Sequence, residues 1–168
     1  MARNAIVVGQ GGAPWSKRER FLGRDGTGYS GRVDHSLDEK FRIVVPARFR
    51  PGLGEQFTVT ANPIERCLIL YSEAQWHAFN EQLKREKRDV HIRRFERFLA
   101  EHTMEGVACD SQGRLLLTPQ QREFCRIEKD VTTVRMPDRV ELWAKERYEE
   151  QFPSDEEVAD TAERLGFF

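Results

Sequence analysis

The stretch that decides the fold is Asp38-Glu39-Lys40-Phe41-Arg42-Ile43-Val44-Val45-Pro46, because the chain carries it twice. Its echo is Asp110-Ser111-Gln112-Gly113-Arg114-Leu115-Leu116-Leu117-Thr118, 72 positions further on. The same offset takes Arg50 to Arg122, Leu53 to Cys125, Val59 to Val131, Leu70-Tyr71 to Leu142-Trp143 and Trp76 to Tyr148. One register kept over about forty residues is an internal repeat, and a repeat must be recognised before elements are assigned. Each unit is about 50–55 residues long, a size that seldom buries a full core alone. The two halves are therefore expected to complete each other's core.

Working outward, each unit has the same layout. An alternating strand comes first, with Val33, His35 and Leu37 on one face and Val107 and Cys109 in the second copy. A turn with acidic and basic residues follows. Next is a continuous apolar strand, Ile43 to Val45 or Leu115 to Leu117, which reads as buried on both faces. Pro46 and Pro119 each open a short helical turn. Two further strands are expected near Phe57–Thr60 and Cys67–Tyr71, matched by Val131–Arg135 and Val140–Trp143. A helix closes each unit. In the first, Ser72 and Gln75 form a capping box ahead of an inward stripe of Trp76, Phe79 and Leu83; in the second, Tyr148 and Phe152 fill that role.

Between the units, Ile92, Phe95, Phe98 and Leu99 recur at helical spacing, so residues 84–101 read as a linking helix. Its Arg93, Arg94 and Arg97 read first as a solvated face, and second as contacts to a nucleic-acid backbone. Residues 1–28 lack periodicity and read as a flexible arm. Ser154 and Glu157 cap an acidic tail helix over residues 153–168 that reaches about Leu165. The resulting division is 1–28 arm, 29–83 first repeat, 84–101 linking helix, 102–152 second repeat and 153–168 tail. The class is mainly β with helices, α+β.

Charge is balanced but polarised. The 27 Lys and Arg residues nearly cancel the 28 Asp and Glu residues, yet bases dominate from Arg3 to Arg50 and acids from Glu146 onward. A chain neutral overall can still present one basic face. The longest apolar run, Cys67 to Tyr71, is too short to span a bilayer, and Ala5 to Val8 is too short for a secretory leader. Three unpatterned cysteines, Cys67, Cys109 and Cys125, read as reduced thiols of a cytoplasmic protein.

The chemistry sits in the repeated Asp-x-x-x-Arg, with a further Arg eight residues on. Asp38 and Asp110 suit the turn start, where a carboxylate accepts local backbone N–H bonds. Gly113 suits a position of positive φ; Phe41 at the matching place is unexpected. The Arg after each turn either pairs with that Asp or reaches outward as a donor fork.

The double motif, its spacing and the Leu-Tyr and Leu-Trp strand ends resemble the MraZ family of the AbrB-like swapped-hairpin group. The family pattern, roughly Leu-Asp-x-Lys-Gly-Arg-x-x-Ile-Pro-x-x-x-Arg, is matched by Leu37 through Arg50, and Tyr29-Ser30-Gly31 looks like the family's usual beginning. The resemblance covers about residues 29–152. It departs at Phe41, at Gln112 in place of Lys, and at Thr118-Pro119, where Pro would come one place earlier. It implies a tandem-duplicated swapped-hairpin β-barrel with short peripheral helices, its motif loops side by side. It also implies ring-like homo-oligomers and a regulator that binds repeated double-stranded DNA boxes upstream of the division and cell-wall gene cluster. On that basis Lys40, Arg42, Arg48, Gln112 and Arg114 are the expected DNA contacts, with the first copy dominant. Asp38, Asp110 and Gly113 are the expected turn formers. Arg50 and Arg122 are expected to serve structure or assembly.

Catalysis is not expected. His35, His77, His91 and His102 are scattered, without nucleophile order or zinc spacing, and Glu149-Glu150 sit on a solvated helix. Gly9-Gln10-Gly11-Gly12 lacks the helix that a dinucleotide turn requires, because Pro14 follows. No cofactor or metal is expected, and the protein is placed in the cytoplasm at the nucleoid. The main rival is an AbrB-like interaction module of antitoxin type, whose acidic tail would wrap a protein partner.

Overall fold

A computed structural model describes residues 31–168; the arm, Gly9–Gly12, Tyr29 and Ser30 lie outside the described residues. The first unit runs β1 (Gly31–Ser36), β2 (Arg42–Val44), a single 3-10 turn (Ala47–Phe49), β3 (Phe57–Asn62), β4 (Cys67–Ser72) and α1 (Glu73–Lys84). Helix α2 (Val90–His102) leads into the second: β5 (Met104–Val107), β6 (Arg114–Leu116), α3 (Pro119–Cys125), β7 (Asp130–Arg135), β8 (Val140–Ala144) and α4 (Lys145–Gln151). A final helix, α5, spans Asp155–Leu165. The chain is thus mixed α+β, with antiparallel strand pairing.

The strands do not pair within their own units alone. One sheet has the order β1-β7-β8-β4-β3-β5, and β2 pairs with β6 in a second, two-stranded ribbon. The leading strand of each unit therefore adds to the other unit's hairpin: β1 lies on β7, with Val33 opposite Thr133, and β5 lies on β3. The two hairpins meet at β4 and β8, with Ile69 opposite Glu141. In the ribbon Ile43 stands opposite Leu115, and these are equivalent residues of the two copies. One continuous core results. Ile43, Val45, Phe49, Val59, Leu70, Leu115, Leu117, Val131 and Leu142 are buried together, drawn from both units. This is how units too small to bury a core separately share one.

Four local expectations are corrected. The apolar strands are covered on one face only: Ile43 and Leu115 are buried, but Val44 is 46% and Leu116 57% exposed. A two-stranded ribbon over the core has one side left in solvent, and strand alternation puts every second residue there. The linking helix begins at Val90, because α1 ends at Lys84 and the Asp89 carboxylate accepts the N–H groups of His91 and Ile92 as a cap. Ser72 accepts the Gln75 N–H at 3.2 Å, which is the forward half of the expected box. Phe152 does not point inward. It follows the last turn of α4 and is exposed, while Tyr148 packs on Trp143 with ring centroids 5.7 Å apart. The tail helix has its full box, Ser154 with Glu157.

Leu115→Ala removes a side chain at the centre of the shared core, and we expect it to cost about 2–5 kcal/mol in urea unfolding. Val44→Ser, on the solvent side of the same ribbon, should change stability by no more than about 0.5 kcal/mol. Equal losses would mean that the ribbon is covered on both sides.

Candidate nucleic-acid interface

Each motif folds into the same locked turn. In the first, the Phe41 N–H donates to the Asp38 carbonyl at 3.0 Å and the Asp38 N–H to the Arg42 carbonyl at 2.9 Å. In the second, Gly113 donates to Asp110 at 2.9 Å and Asp110 to Arg114 at 3.0 Å. The Asp side chain secures each turn from inside. Asp38 Oδ1 accepts the N–H groups of Lys40 and Arg42, both at 2.9 Å, and Oδ2 accepts Arg42 Nε at 2.7 Å. Asp110 binds Gln112 and Arg114 with the same distances. The Arg42 backbone N–H, then its guanidinium and the Lys40 N–H, hold the Asp38 carboxyl below the usual carboxylate range; Arg114 and Gln112 do the same for Asp110.

Only Nε of each arginine is used. The terminal guanidinium nitrogens of Arg42 and Arg114 make no hydrogen bond among the described residues, and the side chains remain about a quarter exposed, 25% and 28%. The Asp therefore aims each arginine without consuming its outer donors. Lys40 and Gln112 stand exposed at the turn tips, and Arg48 is exposed on the 3-10 turn. Across the ribbon Arg42 is opposite Leu116, and Val44 is opposite Arg114. Directly opposed residues share a face. The outer face of the ribbon thus presents two arginines on one diagonal and two exposed aliphatic side chains on the other.

The residues behind the turns are exchanged between units. The Arg122 guanidinium carbon lies 3.7 Å from the centroid of the Phe41 ring. Arg50 does the equivalent at the other turn: its guanidinium carbon lies 2.9 Å from where a Cβ on Gly113 would stand. Nε of both arginines is buried, with no hydrogen-bond partner among the described residues. Each turn is therefore backed by a cation from the opposite unit. Phe41 adopts φ +60° and Gly113 φ +78°, so the two backbones match although only one residue suits that region.

Lys40, Arg42, Gln112 and Arg114 are brought together on the ribbon and its turns. Arg48 stands apart on the 3-10 turn. Val44 and Leu116 were missed as site-facing residues. The signal was present, because Val44 shares strand parity with Arg42, so an outward Arg42 carries Val44 outward with it. His35 bonds Thr133 Oγ1 through Nε2 at 2.7 Å, within the sheet. The thiols of Cys67 and Cys125 are buried, and burial pushes that of Cys125 up to about 12. Among the described residues, Glu65, Cys67 and Glu141 come within metal-binding distance of one another, but Glu141 accepts from Arg139 and Trp143 instead.

Duplicated hairpin units that exchange strands, with an arginine-bearing turn from each set on one ribbon, define an interlocked tandem-hairpin protein with a cationic edge. Comparison with known proteins gives the family. Residues 29–98 and 99–167 each match the model described as "MraZ protein, putative antitoxin-like". The chain is 39% identical over 142 residues to the transcriptional regulator MraZ of Caldanaerobacter subterraneus subsp. tengcongensis, covering 82% of this chain and 96% of the relative. It is 34% identical to the protein of that name from Lachnoclostridium phytofermentans, covering 82% and 97%. It is 35% identical to that of Acetivibrio thermocellus, covering 82% and 99%. The chain belongs to the MraZ family.

Two outcomes test the turn geometry. Gly113→Ala forces a Cβ into the left-handed region and displaces Arg50, and should cost at least about 1 kcal/mol in thermal unfolding. The carboxyl pKa values of Asp38 and Asp110, followed by NMR, should both fall below about 3.9. Because these pKa values are depressed, the turn lock is present above the ordinary carboxylate range and is lost only as pH falls through the folded values. Titration at ordinary values would show that the Asp–Arg lock is absent in solution.

Proposed function

We propose that the protein is a sequence-specific, double-stranded-DNA-binding transcriptional regulator, and that the ribbon face with its two turns is the reading surface. The observation that carries this reading is the pair of sister turns, each aiming an arginine whose side chain is held, among the described residues, by Nε alone. A two-stranded ribbon fits the major groove, where an arginine's outer donors match guanine O6 and N7 and an aliphatic side chain matches the thymine methyl. The alternation of Arg42 and Arg114 with Val44 and Leu116 supplies both kinds of contact. Lys40 adds a phosphate or base contact on the first turn, where Gln112 is neutral on the second, so the first copy carries more of the affinity. In this reading Arg48, exposed on the 3-10 turn, adds a backbone contact. The names of the relatives, transcriptional regulators, support the same reading.

In this reading the exchanged hairpins close into a small barrel. The protein assembles into a ring-like homo-oligomer at the nucleoid, in the cytoplasm. It binds repeated boxes upstream of the division and cell-wall gene cluster, where several subunits on neighbouring repeats gain affinity through effective concentration. It requires no cofactor and performs no catalysis. No helix among the described residues is long and apolar enough to cross a membrane.

The test is a gel shift on the upstream region of the protein's own operon at two salt concentrations. Binding should weaken steeply with salt, by a log–log slope of about −0.9 for each phosphate neutralised. Lys40→Ala should flatten that slope. Arg42→Ala should abolish specific binding and leave the oligomer's mass unchanged. A change of mass in Arg42→Ala would make that arginine structural. Absence of any shift, with another protein co-purifying, would favour the antitoxin-type module.

A further inference from the structure

The side chain of Phe41 is one that its turn does not need. The counterpart Gly113 closes the same turn with the same two backbone bonds and no side chain at all. Each of the two residues also accepts one bond from across the ribbon: the Gly113 carbonyl from the Val45 N–H at 2.9 Å, and the Phe41 carbonyl from the Leu117 N–H at 3.1 Å. Phe41 nevertheless holds left-handed backbone, φ +60°, where glycine would be unstrained. Its ring is 43% exposed, so it collects only part of the burial that stabilises a phenylalanine in a fold. A strained residue that keeps an apolar ring in solvent points to a contact made outside the folded chain.

The surroundings of the ring narrow what that contact is. The Arg122 guanidinium, from α3 of the opposite unit, lies over the ring with its carbon 3.7 Å from the centroid. At the other turn no ring intervenes, and Arg50 comes in against Gly113 itself. Phe41 is thus braced from behind by a cation. It stands beside exposed Lys40, at the end of the ribbon whose Val44 and Leu116 are exposed. A ring with one face on a guanidinium cannot slide between two stacked bases. Its free face and edge carry no hydrogen-bonding group, so they recognise neither a phosphate nor the polar edge of a base. The apolar group that the major groove displays is the thymine C5-methyl, which aromatic and aliphatic side chains contact.

We propose that Phe41 is a specificity-determining contact of the reading surface, its free ring face packing on a thymine methyl at the end of the box met by the first turn. The inference rests on the DNA-binding reading above and names one base feature that the surface reads. Gly113 has no ring, so the second turn makes no such contact, and the thymine preference falls at one end of the box.

The test is a titrated gel shift with the full chain on the upstream region of the protein's own operon. The DNA is prepared once with thymine and once with deoxyuridine throughout, which removes the C5-methyl and leaves the hydrogen-bonding edges intact. On thymine DNA, Phe41→Gly should bind about fourfold more weakly than wild type, the effect of one buried methyl group. On deoxyuridine DNA the two proteins should bind alike, because the group that Phe41 touches is gone. Thermal unfolding checks the fold. Glycine suits the left-handed position, so Phe41→Gly should stay folded, and Phe41→Asn, a second residue that tolerates that backbone, should repeat the result. The proposal is overturned if Phe41→Gly binds thymine DNA as wild type does, or if its deficit persists undiminished on deoxyuridine DNA. It is also overturned if both variants lose the fold, which would make the ring a structural brace. Arg42→Ala separates this contact from the reading beneath it. A wild type that binds no DNA overturns both; binding that Arg42→Ala abolishes and Phe41→Gly leaves unchanged removes the thymine contact alone.

Discussion

The molecule depends on two backbone hydrogen bonds that cross between its halves. The Val45 N–H donates to the Gly113 carbonyl at 2.9 Å, and the Leu117 N–H donates to the Phe41 carbonyl at 3.1 Å. They flank the ribbon in which β2, among the described residues, has no ladder partner except β6. Buried backbone groups must be paired, and here each half holds what the other lacks. The same dependence recurs at β1 on β7 and β5 on β3. Separating the halves would therefore strip four strand pairings, β1 on β7, β2 on β6, β5 on β3 and β4 on β8, and the shared core at once, which makes folding of the pair a single event.

That exchange also sets the site. Each turn is fixed by its own Asp from within, by the opposite unit's strand from beside it, and by the opposite unit's arginine from behind. Side chains held this way lose little freedom when they meet a ligand, so less of the contact energy is spent on ordering. The arrangement explains why the arginines are bonded through Nε yet remain accessible. A free arginine would be disordered before binding, and one bonded through all its nitrogens would have nothing to offer.

The repeat, the strand order within each unit and the Asp–Arg turns were legible because they are written in residue type and spacing. Asp38 and Asp110 at turn starts, and Ser154 with Glu157 before a helical run, have local meanings that tertiary context did not change. The exchange between units was legible only through the resemblance, since no periodicity in β1 says whose hairpin it joins. The outward face of Val44 and Leu116 was misread because three consecutive apolar residues look the same whether a strand is covered once or twice; counting parity from Arg42 would have separated the cases. The start of α2 was misplaced because the charged run 84–89 keeps a helical composition, and only the Asp89 cap marks the break. The contacts of Arg122 with Phe41 and of Arg50 with Gly113 join positions in different copies that are 81 and 63 residues apart, and no local pattern announces them.

The two copies differ most where their backbones agree best. The exchange demands left-handed backbone at both Phe41 and Gly113, and a non-glycine residue held there costs about 1–2 kcal/mol. The Arg122 guanidinium over the Phe41 ring returns about 0.5–2 kcal/mol, so the strained residue is tolerated. Backbone identity is thus enforced while side-chain identity is not, and the ribbon face acquires a direction: Lys40 and Phe41 at one end, Gln112 and Gly113 at the other. In the proposed function, a face with direction reads a sequence with direction. On the proposed reading surface, a ribbon whose two ends differ suits a box whose two ends differ, whereas two-fold symmetry would suit a palindrome.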